Sequence, residues 1–98
     1  MPHVYMLLCA DDTLYVGSTV DLERRLSEHQ AGNGAAYTRA RLPVRLFWAE
    51  EFERVDDAFG WEKRIQGWSH AKRVAFAEGG VDAIRGWSSR ERQRRRGE

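Results

Sequence analysis

Two short segments rich in apolar and β-favouring residues, 3–10 and 14–18, constrain the fold of this chain most. The residues between them, Asp-Asp-Thr at 11–13, have the composition of a turn, so the two segments predict a β-hairpin. If the loop consists of those three residues, Tyr5 and Tyr15 project from the same face of the ribbon. A two-residue loop would place the two tyrosines on opposite faces.

A helix and a third strand are predicted after the hairpin. Asp21 occupies the position of a helix N-cap before a helix over 22–29, which the Gly-Asn-Gly sequence at 32–34 ends. A loop then leads to Pro43, and residues 44–52 have the pattern of a strand.

Two further helices complete the pattern. Asp56 or Asp57 is the expected N-cap of the first, and Ser69 is the expected N-cap of the second, over 70–78, which Gly79 and Gly80 close. The first of these helices carries its apolar residues on one face: Ala58, Trp61, Ile65 and Trp68.

The order of these elements predicts an α+β fold, in which three or more helices flank a small, mostly antiparallel sheet of three strands. The 98 residues suffice for one compact domain and are too few for two, so we predict a single domain over 1–87. Residues 88–98 contain five Arg and two Glu and predict a basic tail. Such a tail is either a mobile, solvated end or a segment that attracts phosphate backbones without regard to sequence.

Composition excludes several classes of protein. The longest apolar run, 4–10, is far shorter than the about 20 residues of a membrane span, and the N-terminus lacks the pattern of a signal peptide. The single cysteine, Cys9, predicts neither an internal disulfide nor an ordinary zinc site. We expect a cytoplasmic protein, a monomer in preference to an oligomer, with no membrane contact and no small-molecule cofactor.

The first helix combines apolar and chemically active residues on one face. Leu22, Arg25, Leu26 and His29 fall within one arc of the helix, whereas Arg24 points the other way. An arginine with a buried stem and a histidine near a helix C-terminus are each common in purely structural roles. Both together on an apolar stripe are less ordinary and indicate a candidate site.

A carboxylate lies at the border of the apolar face of the second helix. Glu62 is placed there, while Lys63 and Arg64 face away. A carboxylate at an inward edge needs a partner or a metal ion. Taken alone, this position favours a salt bridge to an arginine.

In their order and spacing, these residues resemble the GIY-YIG nuclease family, and in particular its short stand-alone bacterial branch. That branch is related to the N-terminal nuclease domain of the bacterial excinuclease and to the catalytic domains of intron-homing endonucleases. The two motifs that name the family occur as His3-Val4-Tyr5 and Tyr15-Val16-Gly17, with His3 in place of the first glycine. The likeness runs from residue 3 to 78 and includes residues 18–29, 34–39, 43–46 and 62–68.

The resemblance implies a divalent-metal-dependent endodeoxyribonuclease that acts in DNA repair or recombination. It assigns Tyr5, Tyr15, Arg25 and His29 to catalysis and Glu62 to one Mg²⁺ or Mn²⁺ ion. Arg25 would clamp the scissile phosphate. Tyr5 would be the general base or would position water, and its ordinary pKa of ~10 requires help from a neighbouring cation or hydrogen bond. Tyr15 and His29 are candidates for that help, and which group takes the proton stays open.

Four more residues are secondary candidates for substrate contact: Thr19, Tyr37, Arg39 and Lys72. The first three could contact phosphate or order a loop, and a structural role is favoured for Tyr37. Single-stranded, branched and damaged duplex DNA, and also RNA, remain open as substrates. Two other functions are compatible with the sequence: a non-catalytic nucleic-acid-binding module, and an interaction protein that recruits repair factors through exposed tryptophans such as Trp87.

Overall fold

The computed structural model describes residues 1–87, so the predicted basic tail at 88–98 lies outside the described residues. The predicted α+β architecture of a three-stranded sheet with helices is confirmed. The elements in chain order are β1 (His3–Leu8), β2 (Leu14–Thr19), α1 (Leu22–Gln30), α2 (Ala36–Arg39), β3 (Arg45–Glu51), α3 (Val55–Gln66) and α4 (His70–Ile84).

The sheet has the strand order β2-β1-β3, and both pairs of strands are antiparallel. The central strand β1 is buried, and Tyr5 at its middle pairs with Gly17 of β2 and Ala49 of β3. Both cross-strand neighbours of Tyr5 are therefore small, which leaves space for the phenol above the sheet.

The hairpin turn is centred one residue earlier than the three-residue loop predicts. Leu8 pairs with Leu14, so five residues, 9–13, connect the strands. The carboxylate of Asp11 accepts hydrogen bonds from the hydroxyl and the amide of Thr13, which stabilises the turn around Asp11. Because the register differs by an even number of residues, Tyr5 and Tyr15 still share one face of the sheet, as expected.

Helices cover both faces of the sheet. On the face of Tyr5, the side chains of Leu22 and Leu26 from α1 pack against a core that includes Leu7 and Val44. On the opposite face, α3 packs against β1 and β2 and buries Ala58 and Ile65 against the strand residues that point that way: Val4, Met6 and Val16.

The predicted N-cap of α1 is confirmed, because the Asp21 carboxylate accepts a hydrogen bond from the amide of Arg24 at 3.1 Å. The predicted loop before Pro43 is wrong in part, since residues 36–39 form the short helix α2. This helix carries Thr38, which is fully buried although its neighbours in the helix are exposed.

The predicted N-cap of α3 is also wrong. The helix begins at Val55 with Arg54 as its N-cap, and Asp56 and Asp57 lie in its first turn. Negative charge in the first turn is favourable beside the partial positive charge of a helix N-terminus, and Arg54 pairs with Asp56 at 3.2 Å. The two acids thus stabilise the helix start without capping it.

The chain divides into two compact units, of which the first, Met1–Trp68, contains the sheet and α1 to α3. The second unit begins at Ser69, which caps α4 as predicted by accepting a hydrogen bond from the amide of Lys72. The predicted end of this helix at Gly79 and Gly80 is confirmed as a break at Gly80, whose φ is 72°, and a further helical segment then continues to Ile84. The single domain over 1–87 stays a prediction. Through residue 87, the chain has no helix with the length and apolar character needed to cross a bilayer.

Candidate active site

The centre of the candidate site is a buried pair, Tyr5 on β1 and His29 at the end of α1. The hydroxyl oxygen of Tyr5 lies 2.9 Å from Nε2 of His29. Tyr5 is 2% exposed and His29 is fully buried. The arc predicted for α1 is thus confirmed: it turns His29 to the sheet and leaves Arg24 exposed.

Two glycines make room for this pair. A Cβ at Gly17 would lie 2.5 Å from the Tyr5 hydroxyl oxygen, and a Cβ at Gly34 would overlap Nδ1 of His29. Both rings therefore lie against backbone that has no side chain. The second motif therefore needs glycine at residue 17, because the ring of Tyr5, its cross-strand neighbour in the first motif, fills the space beside it.

Thr38 holds the other side of the imidazole and was missed by the sequence analysis. Its hydroxyl oxygen lies 2.8 Å from Nδ1 of His29, and the hydroxyl donates to the carbonyl of Ala35 at 3.0 Å. Thr38 is fully buried, so water does not compete for these bonds. The sequence offered only one indication of this role, a polar residue within the family-like segment 34–39. The flanking residues Tyr37 and Arg39 were named as candidates from the sequence, and Thr38 was not.

Arg25 links the buried pair to the surface. Its side chain is 34% exposed and bonds to the Glu28 carboxylate at 3.3 Å, and its positive charge acts on the hydroxyl of Tyr5. Burial raises the pKa of Tyr5 to about 12, with Tyr15 and Glu62 adding to the rise and Arg25 opposing it. Tyr5 is therefore a neutral phenol at neutral pH.

His29 is kept neutral by its surroundings. Burial lowers its pKa below the ordinary value of 6.5, the charge of Arg25 lowers it further, and Glu28 acts in the opposite direction. A neutral imidazole carries one proton and offers one acceptor nitrogen. It can therefore accept the proton of Tyr5.

Tyr15 lies at the centre of an aromatic group on the same face. Its ring centroid is 6.5 Å from that of Tyr5, 5.2 Å from that of His29 and 5.9 Å from that of Tyr37. The guanidinium of Arg41 lies 3.8 Å over the Tyr37 ring. These contacts support the structural role favoured for Tyr37, while Arg39 is exposed at the end of α2.

Glu62 is held beside the edge strand β2 by neutral partners. The hydroxyl of Ser18 donates to one carboxylate oxygen at 2.5 Å, and the amide of Gln66 donates to the other at 3.0 Å. These partners replace the salt bridge to an arginine that the position alone favours, and neither was identified from the sequence. Glu62 approaches from the opposite face of the sheet to Tyr5, yet its charge contributes to the raised pKa of Tyr5.

The acidic residues do not form a closed metal cage. Within residues 1–87 no cluster of three or more His, Cys, Asp or Glu side chains could enclose an ion. A single carboxylate fits Mg²⁺ or Mn²⁺, because such ions keep several waters and share their coordination with substrate phosphates. Glu62 is the residue that would hold the ion, with Ser18 and Gln66 orienting its oxygens.

A small surface cavity of about 150 Å³ adjoins Arg25. It is lined by Thr19, Arg24 and Arg25, together with two acidic residues of α1 and its cap. The hydroxyl of Thr19 accepts a hydrogen bond from the amide of Asp21 at 3.1 Å, so Thr19 also orders the start of α1. Lys72 belongs to the second unit, where its backbone amide donates a hydrogen bond to the hydroxyl of Ser69 at the start of α4.

Comparison with known proteins gives consistent matches. The family model described as GIY-YIG catalytic domain matches residues 1–74. A UPF0213 protein of Halobacterium salinarum is 47% identical over 76 residues, covering 78% of this chain and 99% of that protein. A UPF0213 protein of Bacillus pumilus is 43% identical over 76 residues, covering 78% of each.

Two solved structures are similar to this chain. The solution NMR structure of a UPF0213 protein from Bacillus halodurans has a TM-score of 0.52 and 34% identity, and the match covers 88% of this chain and 96% of that one. The solution NMR structure of a protein from E. faecalis has a TM-score of 0.55 and 35% identity, covering 78% and 81%.

Proposed function

Since this chain belongs to the GIY-YIG family of catalytic domains, we propose that it is an endonuclease that hydrolyses DNA with the help of one divalent metal ion. The family match supports nuclease-type chemistry. DNA as the substrate, Mg²⁺ or Mn²⁺ as the metal ion, and a place in DNA repair or recombination are parts of the proposal.

The observation that carries the proposal is the buried pair of Tyr5 and His29 with Arg25 at the phenol. Tyr5 is protonated at neutral pH and hydrogen-bonds a neutral imidazole 2.9 Å away. A phenol in this arrangement can pass its proton to the imidazole as it takes one from water, although its own pKa is high. Arg25 favours the loss of the Tyr5 proton to His29, because its charge lowers the pKa of Tyr5.

In the proposed reaction, a water molecule attacks the phosphorus atom and loses one proton to the Tyr5 oxygen. The Tyr5 hydroxyl proton moves to Nε2 of His29, which becomes an imidazolium. The bond between phosphorus and the 3′ oxygen breaks, and the 3′ oxygen takes a proton from solvent water. The proton on His29 returns to solvent through Tyr5 after the products leave, which restores the starting state.

Charge on the phosphate is balanced by two groups. Arg25, whose charge acts on Tyr5 and which lines the adjoining cavity, would bind a nonbridging phosphate oxygen through its planar guanidinium. A divalent ion bound at Glu62 would act as a Lewis acid that stabilises the charge developing on the phosphoryl and leaving oxygens. Ser18 and Gln66 orient the carboxylate of Glu62.

The proposal is tested with labelled single-stranded, duplex and branched DNA, incubated with Mg²⁺, Mn²⁺ or EDTA. Wild type is compared with Glu62→Ala and with Glu53→Ala, an exposed acid in the same unit that serves as the control. We expect metal-dependent cleavage by wild type and by the control, and a loss of at least ~10²-fold in Glu62→Ala. Binding measured in EDTA by fluorescence anisotropy should be similar for all three proteins.

Two outcomes would contradict the proposal. Equal cleavage by wild type and Glu62→Ala would remove Glu62 and its metal ion from the reaction. Binding of DNA without cleavage of any substrate would favour a non-catalytic nucleic-acid-binding module. RNA of the same sequences, assayed in parallel, decides whether DNA is the preferred nucleic acid.

A further inference from the structure

Three buried side chains, Tyr5, His29 and Thr38, form a continuous line of hydrogen bonds. The Tyr5 oxygen lies 2.9 Å from Nε2 of His29, and Nδ1 of His29 lies 2.8 Å from the Thr38 oxygen. A neutral imidazole has one proton, so its two nitrogens play opposite roles. The partners at the two ends determine which nitrogen carries the proton.

The Thr38 end favours the proton on Nδ1. The Thr38 hydroxyl has a single proton, and it donates that proton to the carbonyl oxygen of Ala35 at 3.0 Å, because a carbonyl oxygen can only accept hydrogen bonds. With its proton directed to Ala35, the Thr38 oxygen is an acceptor toward His29. Nδ1 must then be the donor of the 2.8 Å bond.

The Tyr5 end is consistent with the same arrangement. With the imidazole proton on Nδ1, Nε2 is the acceptor of the 2.9 Å bond, and the Tyr5 hydroxyl donates its proton to it. The opposite tautomer would direct an Nε2 proton at the Tyr5 oxygen, and the buried Tyr5 proton would then have no acceptor among Tyr5, His29 and Thr38.

We propose that Thr38 is a positioning residue that holds the proton of His29 on Nδ1 and thereby keeps Nε2 open to accept the proton of Tyr5. The backbone at Gly34 supports this role, because the His29 ring occupies the space that a side chain at residue 34 would need and so lies against bare backbone on its Nδ1 side. The tautomer is a property of the free protein. Its consequence for catalysis rests on the proposed nuclease function.

The tautomer is measured directly by ¹⁵N NMR of the histidine rings in the metal-free, DNA-free protein. His29 is one of three histidines, and its signals are identified by their loss in His29→Gln. We expect a protonated Nδ1 and an unprotonated Nε2 near neutral pH. A proton on Nε2, or equal populations of the two tautomers, would overturn the proposal whatever the activity of the protein.

Two substitutions separate this role from packing. Thr38→Val keeps the shape of the side chain but removes the acceptor, whereas Thr38→Ser keeps the hydroxyl. We expect Thr38→Val to lose the preference for the Nδ1 proton and to cleave at least ~10-fold more slowly, and Thr38→Ser to retain both properties. Thr13→Val, which removes a hydroxyl bonded only within the hairpin turn, is the matched control.

The outcomes distinguish this inference from the proposed function. An unchanged tautomer in a folded Thr38→Val would show that Thr38 does not hold the proton, and a shifted tautomer with wild-type cleavage would remove its catalytic consequence. If wild type cleaves no nucleic acid, the nuclease proposal fails, and the ¹⁵N spectra still decide the tautomer. If Thr38→Val does not fold, the wild-type spectrum alone decides it.

Discussion

Tyr5 and Gly17 are direct cross-strand partners, and the phenol of Tyr5 occupies the space that a side chain at residue 17 would need. A Cβ at Gly17 would lie 2.5 Å from the Tyr5 oxygen and 2.7 Å from Cζ. The tyrosine of the first motif and the glycine of the second are therefore one structural feature, in which an aromatic ring lies over bare backbone.

Gly17→Ala should displace the Tyr5 ring and separate it from His29. We expect an overpacking cost of roughly 1–3 kcal/mol in the free energy of unfolding, with cleavage reduced at least ~10-fold. Gly60→Ala is the matched control, because a Cβ at this position in α3 meets no atom within 4 Å. It should stabilise the helix by about 0.5–1 kcal/mol and leave cleavage unchanged. Urea unfolding and cleavage assays on both variants check this, and wild-type activity in Gly17→Ala would contradict it.

Ser18→Ala should weaken metal binding without removing the metal ligand. The hydroxyl of Ser18 donates to Glu62 at 2.5 Å, and its loss leaves the carboxylate with Gln66 as its remaining orienting partner among these groups. We expect the Mn²⁺ affinity, measured by electron paramagnetic resonance titration, to fall roughly 10- to 100-fold. Ser27→Ala, on the exposed side of α1, should match wild type. Equal Mn²⁺ affinity in all three proteins would exclude Ser18 from the metal site.

As the pH falls through 6.5, cleavage should stay at its plateau rate and should decline only near the lowered pKa of His29. His29 must be neutral to accept a proton, and burial together with Arg25 lowers its pKa below 6.5. The acid limb of kcat/KM should therefore follow the lowered pKa of His29 measured by NMR titration. Glu28→Gln should move this limb to still lower pH, because the charge of Glu28 favours the imidazolium. A limb at pH 6.5 or above would contradict this assignment.

The same shift predicts how folding stability depends on pH. Below pH 6.5 the unfolded chain binds a proton at residue 29 that the folded chain does not, so stability falls as the pH decreases from 6.5 toward the folded pKa. Comparing wild type with His29→Gln by urea unfolding at several pH values isolates this contribution. An equal pH dependence in the two proteins would count against a neutral, buried His29.

The basic segment at 88–98 should contribute to DNA affinity through its charge alone. Replacing its five arginines with glutamine keeps the length and removes the charge. We expect weaker binding and a smaller slope of log affinity against log salt, by roughly 0.9 for each DNA phosphate that the segment no longer neutralises. Binding to mixed-sequence duplex DNA at several salt concentrations measures both effects. An unchanged slope would exclude the segment from DNA binding.

Much of the fold was encoded locally and could be predicted. The β-favouring segments, the Asp21 and Ser69 caps and the helical periodicity of α1 and α3 depend on residues close in sequence, because a cap bond or an apolar face needs only neighbours within a few turns. The two motif tyrosines share one face, as a three-residue loop predicts, because the observed five-residue connection shifts the strand register by an even number of residues.

Tertiary structure alone decided the partners of the site residues. Tyr5 meets His29 across 24 residues, and Ser18 meets Glu62 across 44. Such bonds depend on how α1 and α3 pack against the two faces of the sheet, which no local preference specifies. Thr38 shows the same limit, because its burial comes from the path of residues 30–44 over His29. The sequence by itself determined the strands, the longer helices and the side of α1 that faces the sheet, because these depend on neighbouring residues. Packing determined the short helix α2 and the hydrogen-bond partners of the site residues.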